Sequence, residues 1–244
     1  MKPLSWDHVP PKGGINLTSV EVNNLYEFYT AGKQNGWVSQ NGVKYRTICV
    51  DCNSKIGSEF DPVLNQLNRS LINIIQPDNP TWVANPVKIR TKPVRLMKAV
   101  LAHLLSAKMH IDEVVTDKNM REMLLLVNQS IPEDLHIHYW FFPYDTTVIM
   151  RDFALPVVPG NFSVCTFAHM IKYFPLAFIV TDSDTFRGLT TLSQYRNLDI
   201  DQEVDIEIYL DNVKDFDWPE KVDESNILFL SAESANAIYA RRKQ

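Results

Sequence analysis

Long hydrophobic runs are missing from this sequence of 244 residues. The run Ala99–Leu105 is interrupted by His103, and Leu176–Val180 is shorter still, whereas a membrane-spanning helix needs about 20 apolar residues. The first residues, Met1–His8, contain no apolar core followed by a small-residue cleavage site, so we expect no signal peptide. The sequence therefore predicts a cytoplasmic protein without a membrane anchor.

Cysteine is scarce, and positive charge does not dominate. The cysteines are Cys49, Cys52 and Cys165, an odd number with one close pair, which fits a reducing compartment better than a disulfide framework. The formal net charge is -5, whereas proteins that bind nucleic acid unaided are usually basic, because phosphate contacts supply most of their affinity. This balance argues against tight unassisted DNA binding. It allows an enzyme that makes few contacts or is recruited by a partner.

The remaining composition is that of an ordinary globular protein, with 45% hydrophobic and 22% charged residues. The best linker is Gln76–Pro80, because its two prolines bracket two turn-forming residues. We therefore divide the chain into residues 1–79 and an accessory domain of residues 80–244, and we assign it to the α+β class.

Hydrophobic periodicity and turn residues predict the individual elements. In residues 1–79 we expect a loop over Met1–Gly14, a helix over Val20–Ala31, a small hairpin within Lys33–Val43, a strand over Lys44–Cys49, a turn over Cys52–Ser54 and a helix over Ser58–Ile75 with Ser58 as its N-cap. In residues 80–244 we expect helices over Pro93–Met109, Lys118–Val127, Asp184–Tyr195 and Ala232–Arg242, and strands over Leu135–Phe142, Thr146–Phe153, Ser163–Phe167, Ala177–Thr181 and Val204–Leu210.

One group of residues has the chemistry of metal-assisted phosphodiester cleavage. That reaction needs a general base for a water and a hard cation that stabilises the charge developing on the phosphate, both on rigid, adjacent backbone. If the dipeptide Asp7-His8 lies on a strand, its side chains point to opposite faces, so that one can hold a metal while the other faces a water. A further ligand has to come from a neighbouring element, and a carboxylate or amide oxygen suits Mg²⁺.

The sequence offers this set in Asp7–Gly14 (Asp-His-Val-Pro-Pro-Lys-Gly-Gly), in Cys49–Asn53 (Cys-Val-Asp-Cys-Asn) and in the helix predicted after them. This pattern resembles the HNH (ββα-metal) endonuclease family, in which Asp-His-x-x-Pro is followed by Cys-x-x-Cys-Asn or Cys-x-x-Cys-His and then a helix. The resemblance covers about residues 5–75. Within the family, the sequence is similar to a bacterial subgroup that carries a second, C-terminal domain.

The resemblance implies that His8 is the general base and that Asp7 and Asn53 hold Mg²⁺ or Mn²⁺. It implies a metal-dependent endonuclease that acts on DNA, in a context such as defence against phage, with Lys12 and Lys55 as candidate phosphate contacts. The alternative is a catalytically inactive HNH-like module that serves as a protein- or nucleic-acid-binding subunit, which the acidic net charge suits. A third hypothesis is a nuclease that is inactive until a protein partner binds.

The sequence departs from the family pattern in three ways. The segment between Gly14 and Lys44 is long for a ββα unit and implies an insertion, and only Asn41 is available as the middle asparagine. No second Cys-x-x-Cys lies upstream of Asp7, so Cys49 and Cys52 lack the two further local thiolates of a structural zinc site. The other interpretations of this pair are a redox dithiol, which usually has a thioredoxin-like context, and small apolar packing.

Four other histidines are expected to have no role in metal binding or catalysis. His103 and His110 lie near one face of the predicted helix Pro93–Met109, and we interpret them as surface or boundary residues. His136 and His138 alternate on a predicted strand and so share a face. Without a third ligand, we interpret this pair as partly buried structure and not as a metal site.

Overall fold

The computed structural model describes residues 3–15, 18–30, 36–76, 83–108, 115–125, 130–158, 161–220, 228–229 and 237–243. The fold is α+β, as the sequence predicts. The helices are α1 (Leu25–Thr30), α2 (Val50–Glu59), α3 (Asp61–Ile75), α4 (Pro93–Ser106) and α5 (Val115–Leu125). The strands are β1 (Leu4–His8), β2 (Val20–Asn24), β3 (Trp37–Ser39), β4 (Lys44–Cys49), β5 (Val87–Thr91), β6 (His136–Phe141), β7 (Thr146–Val158), β8 (Asn161–Tyr173), β9 (Leu176–Thr181), β10 (Thr190–Thr191), β11 (Val204–Ile208), β12 (Leu228–Phe229) and β13 (Ala237–Arg242). Within the described ranges, no helix has the length and apolar character needed to cross a bilayer.

A nine-stranded antiparallel sheet dominates the fold. Its strand order is β10-β6-β9-β8-β7-β13-β2-β3, with β12 paired to β7 outside this path. Its central strands are covered on both faces, because alternate residues belong to two different hydrophobic clusters. On β7, Ile149 faces the cluster that contains α3, α4 and α5, while Val148 and Met150 face the other cluster. Burial on both faces explains why strands such as β9 are continuous apolar runs.

Helix α4 is the buried centre of the helical layer. Of its 14 residues, 12 are buried, and it packs against β1, β4, α2, α3, α5 and β8. A helix that is apolar on all sides is buried on all sides. This position brings the polar residues of α4, among them His103 and Ser106, into the interior beside β1.

The N-terminal part contains more strand than the sequence predicts. Residues 4–8, expected as loop, form β1 because they pair with β4. The predicted helix Val20–Ala31 is wrong in its first half, which forms β2 between β13 and β3, and the helix α1 begins only at Leu25. Both segments form strands because they pair with strands that are distant in the sequence. The hydrophobic periodicity of a short segment contains no information about such pairing.

The junction after β4 is helical where a turn was predicted. Cys52–Ser54 lie inside α2, which begins at Val50. The long predicted helix is divided at Phe60, so α3 begins at Asp61, with a proline in its first turn. Ser58 is therefore not an N-cap; its hydroxyl donates to the Lys55 carbonyl within α2.

In the second part, the predicted α4, α5, β6, β7, β8, β9 and β11 are confirmed apart from their ends. The helix predicted over Asp184–Tyr195 is wrong, because this stretch holds β10 and a single 3₁₀ turn. The predicted terminal helix is wrong over Ala237–Arg242, which forms β13 between β7 and β2, and residues 232–236 lie outside the described residues. Strand β5, which pairs with β11, was not predicted.

The two predicted parts of the chain share one sheet and one core. Strands β2 and β3 extend the large sheet through the C-terminal strand β13. One hydrophobic cluster contains Val9 and Leu64 together with Leu101 and Ile171. Of the linker, only Gln76 lies among the described residues. The division at residue 79 stays a prediction, and the contacts across it are extensive.

A buried ionic network fastens α4 and α5 to the sheet. The Arg151 guanidinium on β7 contacts the Asp117 carboxylate on α5 and the Leu104 carbonyl on α4, and its Nε donates to Nδ1 of His169 at 3.2 Å. Lys108, just after α4, contacts the same Asp117 carboxylate. Buried charges are tolerated only when they are paired and hydrogen-bonded, so this network fixes how the helices sit on the sheet.

We predict that Arg151→Leu lowers the free energy of unfolding by about 3–5 kcal/mol, because it leaves Asp117 buried with one cation fewer. Arg241→Leu is the matched control. Arg241 pairs with Glu21 at 3.5 Å with 51% of its side chain exposed, whereas Arg151 is 0% exposed. The control is expected to lose less than about 1 kcal/mol. Urea unfolding followed by circular dichroism measures both, and equal losses would contradict the role of the network.

Candidate active site

Strands β1 and β4 form a two-stranded antiparallel sheet, and α2 begins directly after β4. The register pairs His8 with Lys44 and Leu4 with Cys49. It is interrupted between Ser5 and Asp7 by a bulge, a feature that re-aims side chains and is common beside active sites. The start of α2 therefore lies beside the first residues of β1, whereas Asp7 and His8 lie opposite Tyr45 and Lys44 at the other end of β4.

Asn53, in α2, reaches across to β1. Its Nδ2 donates to Oγ of Ser5 at 3.0 Å and to the carbonyl oxygen of Trp6 at 2.9 Å. The second bond satisfies a backbone carbonyl at the bulge, which gives Asn53 a structural role. Because both bonds use the amide nitrogen, the amide oxygen Oδ1 is the atom that remains for a cation.

The carboxylate of Asp7 is buried and directed at α4. Its Oδ2 accepts a hydrogen bond from Oγ of Ser106 at 2.5 Å and lies 3.3 Å from Nδ1 of His103. Burial alone would raise the pKa of Asp7, but the hydrogen bond and positive charge of His103, together with Ser106, outweigh it and lower the pKa below its ordinary value. The Asp7 carboxylate is therefore ionised and held in one orientation.

His103 is fully buried between two carboxylates. Its Nδ1 faces Asp7, and its Nε2 lies 2.9 Å from Oδ1 of Asp61 at the start of α3. Burial alone would lower the pKa of His103, but the hydrogen bonds and charges of Asp61 and Asp7 raise it to about 10. The interpretation of His103 as a surface or boundary residue is therefore wrong. The sequence did contain a sign of this role, because His103 interrupts an apolar run and a buried ionisable group needs partners.

His8, the predicted base, is partly buried on β1. Its pKa lies below the ordinary histidine value because of burial first and the charge of Lys44 next; Lys12 adds to this, and Asp7 opposes it. The imidazole is therefore neutral at neutral pH, as a general base has to be. The two lysines also give its surroundings a positive potential that attracts phosphate.

The predicted phosphate contacts differ in their surroundings. Lys12 is exposed, and its loop is tied to α3 by Arg69, whose Nε donates to the Gly13 carbonyl at 2.8 Å. Lys55 points elsewhere: its Nζ donates to the Leu125 carbonyl, at the last residue of α5, at 3.0 Å. A phosphate role for Lys55 requires this bond to break. Asn41, the candidate middle asparagine, is an exposed turn residue at φ 63°.

The two neighbouring cysteines form a close thiol pair at the start of α2. Cys49 is the N-cap, its sulfur accepts the Cys52 N–H at 3.2 Å, and the two Sγ atoms lie 2.8 Å apart. Cys165 lies on β8, in the nine-stranded sheet. Within the described ranges, no group of three or more His, Cys, Asp or Glu side chains is arranged to hold a metal ion. A structural zinc at the pair thus has no further described ligand of these types.

Asp7 and Asn53 carry oxygen atoms of the kind that Mg²⁺ or Mn²⁺ takes as ligands. Mg²⁺ usually keeps several waters and takes one or two carboxylates from the protein, so the ionised Asp7 and the amide oxygen of Asn53 supply suitable oxygen atoms. Ser106 orients the carboxylate, as neighbours of metal ligands commonly do. His103 has a second effect, because its positive charge reduces the attraction of Asp7 for a cation.

Comparisons of the chain with models of protein families, with curated proteins and with solved structures found no match in any of the three. The function of the chain is therefore inferred from its own residues and their geometry. Among those residues, Ser106 and Asp61 join the site although neither was singled out in the sequence. Only the tertiary packing of α3 and α4 against β1 brings them there.

We predict that His103→Leu lowers the free energy of unfolding by about 3–5 kcal/mol near pH 7, because two carboxylates lose their cation. The folded-state pKa of about 10 exceeds the ordinary histidine value near 6.5, so the stabilisation by His103 is complete below pH of about 6.5 and is lost as the pH rises through 10. Wild-type stability should therefore fall between pH 7 and 10 more steeply than that of the variant.

Urea unfolding at several pH values measures this difference. His136→Leu is the control, because His136 is only partly buried on β6 and its pKa is lowered by burial first and by Arg196 next. A His103→Leu penalty as small as that of the control, or wild-type and variant curves that run parallel up to pH 10, would contradict the assigned ion pairs.

Proposed function

We propose that β1, β4 and α2 form an HNH-type ββα-metal site and that the chain is a metal-dependent endonuclease that hydrolyses phosphodiester bonds in DNA. One observation carries the proposal. Asn53 of α2 is hydrogen-bonded to β1 directly before Asp7-His8, so that a base, a carboxylate and an amide come from adjacent rigid elements. Such rigid placement of the reacting groups is what this type of hydrolysis requires.

His8 serves as the general base in this proposal. Its neutral imidazole takes a proton from a water, and the resulting hydroxide attacks the phosphorus atom of the scissile bond. Burial and the charges of Lys44 and Lys12 keep the imidazole neutral before the reaction. The same lysines attract the phosphate, which places the scissile bond beside the base.

Asp7 and Asn53 would hold the cation, through a carboxylate oxygen and the amide oxygen. A bound Mg²⁺ or Mn²⁺ would supply charge stabilisation to the phosphate and the leaving oxygen. Ser106 and His103 keep the Asp7 carboxylate ionised and oriented. The hydrogen bonds of Asn53 to Ser5 and Trp6 keep α2 at a constant distance from β1.

The net charge of -5 disfavours an extensive electrostatic interface with DNA. A chain of this charge has few phosphate contacts or is brought to DNA by a protein partner. Lys12 and Lys44 are the basic groups beside His8 that fit the first case. A cytoplasmic location and a role in phage defence belong to the same proposal and follow from the resemblance alone.

A catalytically inactive HNH-like module that binds protein or nucleic acid is the second candidate function. The observation that favours it is the pairing of Asp7 with His103, which compensates the carboxylate charge that a metal would need. Cleavage assays separate the two functions. A binding module cleaves no DNA with any divalent metal, with or without a partner.

We predict that His8→Ala lowers the rate of plasmid cleavage with Mg²⁺ or Mn²⁺ by about 10²–10⁴-fold, the usual contribution of a general base. His136→Ala, on β6 of the nine-stranded sheet, is the control and should leave the rate unchanged. Circular dichroism establishes that both variants are folded. Cleavage by His8→Ala at the wild-type rate would remove His8 from the mechanism.

We predict that Asn53→Ala raises the Mn²⁺ concentration needed for half-maximal cleavage by about tenfold or more, in line with the usual effect of removing a group that supports a metal site. Asn53→His should restore most of the affinity, because the imidazole is also a metal ligand. A purely structural role would give the reverse pattern, with both variants losing stability and neither changing the Mn²⁺ dependence.

A further inference from the structure

The thiol pair Cys49–Cys52 has no role in the proposed cleavage reaction. Neither residue is in a disulfide, both are only partly buried, and their Sγ atoms lie 2.8 Å apart. Partial exposure does not suit the interpretation as small apolar packing. A structural zinc would need further ligands, and the described ranges contain no group of three His, Cys, Asp or Glu side chains for one.

The backbone around the pair suits a reactive thiol. Cys49 ends β4 and caps the N-terminus of α2, a helix of 10 residues, and its sulfur accepts the backbone N–H of Cys52. The hydrogen bonds with the side chain and the backbone of Cys52 are the main reason that the pKa of the Cys49 thiol lies below its ordinary value. A helix N-terminus favours the negative thiolate, and the thiolate is the nucleophilic form.

This location also supplies the context that the sequence lacked. A redox Cys-x-x-Cys usually lies where a strand runs into a helix, and here the strand β4 runs directly into α2, with Cys49 at the junction. Cys52 lies one turn into α2, close enough to the first sulfur to resolve a mixed disulfide.

We propose that Cys49 and Cys52 are a thiol–disulfide redox site that is oxidised reversibly by small-molecule disulfides of the glutathione type. The Cys49 thiolate attacks one sulfur of glutathione disulfide, forms a mixed disulfide and releases one glutathione thiolate. Cys52 then loses its proton and attacks the Cys49 sulfur, which forms the internal disulfide and releases the second glutathione. The chain gives up two electrons and two protons, and one glutathione disulfide becomes two glutathione thiols.

This redox site does not depend on the nuclease proposal, since it can be measured by thiol chemistry without DNA or divalent metal. Cys165, on β8, offers an internal comparison because it is also partly buried but lies in the nine-stranded sheet. In a reducing compartment such a pair is reduced most of the time and responds to oxidative conditions.

The experiment equilibrates the full chain carrying Cys165→Ser with buffers of defined glutathione to glutathione-disulfide ratio. Free thiols are trapped by alkylation, and intact mass spectrometry counts them. The expected product is one internal disulfide without attached glutathione, which an excess of reduced glutathione converts back to two thiols. In the double variant Cys52→Ser and Cys165→Ser, we expect a mixed disulfide of Cys49 with glutathione, because no second thiol resolves it.

A rate measurement tests the assignment of Cys49 as the attacking thiol. At pH 7, Cys49 in the double variant should be alkylated at least about tenfold faster than Cys165 in a chain carrying Cys49→Ser and Cys52→Ser. The proposal is overturned if the pair stays reduced in buffers that attach glutathione to Cys165 of the unmodified chain. It is equally overturned if the pair reacts only after a chelator removes zinc, which would assign the thiols to a metal.

Discussion

The buried imidazolium of His103 holds together three elements of this fold. Lying on α4, it pairs with Asp7 on β1 and with Asp61 at the start of α3. Charges in an interior are costly unless each one has a partner in good geometry, so these elements have one favourable arrangement relative to one another. The N-terminus of α3 also favours the negative charge of Asp61. The position of β1, and with it the candidate site, depends on this contact.

The same contact acts on the chemistry of the site in two opposing ways. By donating to Asp7, His103 keeps the carboxylate ionised although it is buried, and Ser106 fixes its direction. By carrying a positive charge, His103 also competes with any cation for that carboxylate. If Asp7 binds a metal as proposed, the site gains orientation from His103 and gives up some affinity for the cation.

Local signals in the sequence were sufficient for a large part of the structure. Neighbouring residues in the chain were enough to predict the apolar strands β6 and β9 and the strand β4 that ends at Cys49. They also predicted α4, which is apolar and begins with a proline. The family resemblance implied that Asp7, His8 and Asn53 form one site, and in the structure Asn53 is hydrogen-bonded to Ser5 and Trp6 of β1. Their roles in metal binding and catalysis stay predictions.

The remaining features depend on contacts that no local window contains. Val20–Asn24 and Ala237–Arg242 each have residues spaced as in a helix, yet they pair with each other as strands between β7 and the edge strand β3. His103 looked like a boundary residue because its burial comes from elements packed on all sides of α4. The thiol pair gains its context from the junction of β4 and α2, where a turn was predicted.

Anomalous diffraction from crystals of the full chain grown with Mn²⁺ locates a bound ion independently of any activity. We expect one ion bound by the Asp7 carboxylate and the Asn53 amide oxygen, with the His8 imidazole at the same site. An ion held by other residues, with Asp7 still bonded only to His103 and Ser106, would contradict it.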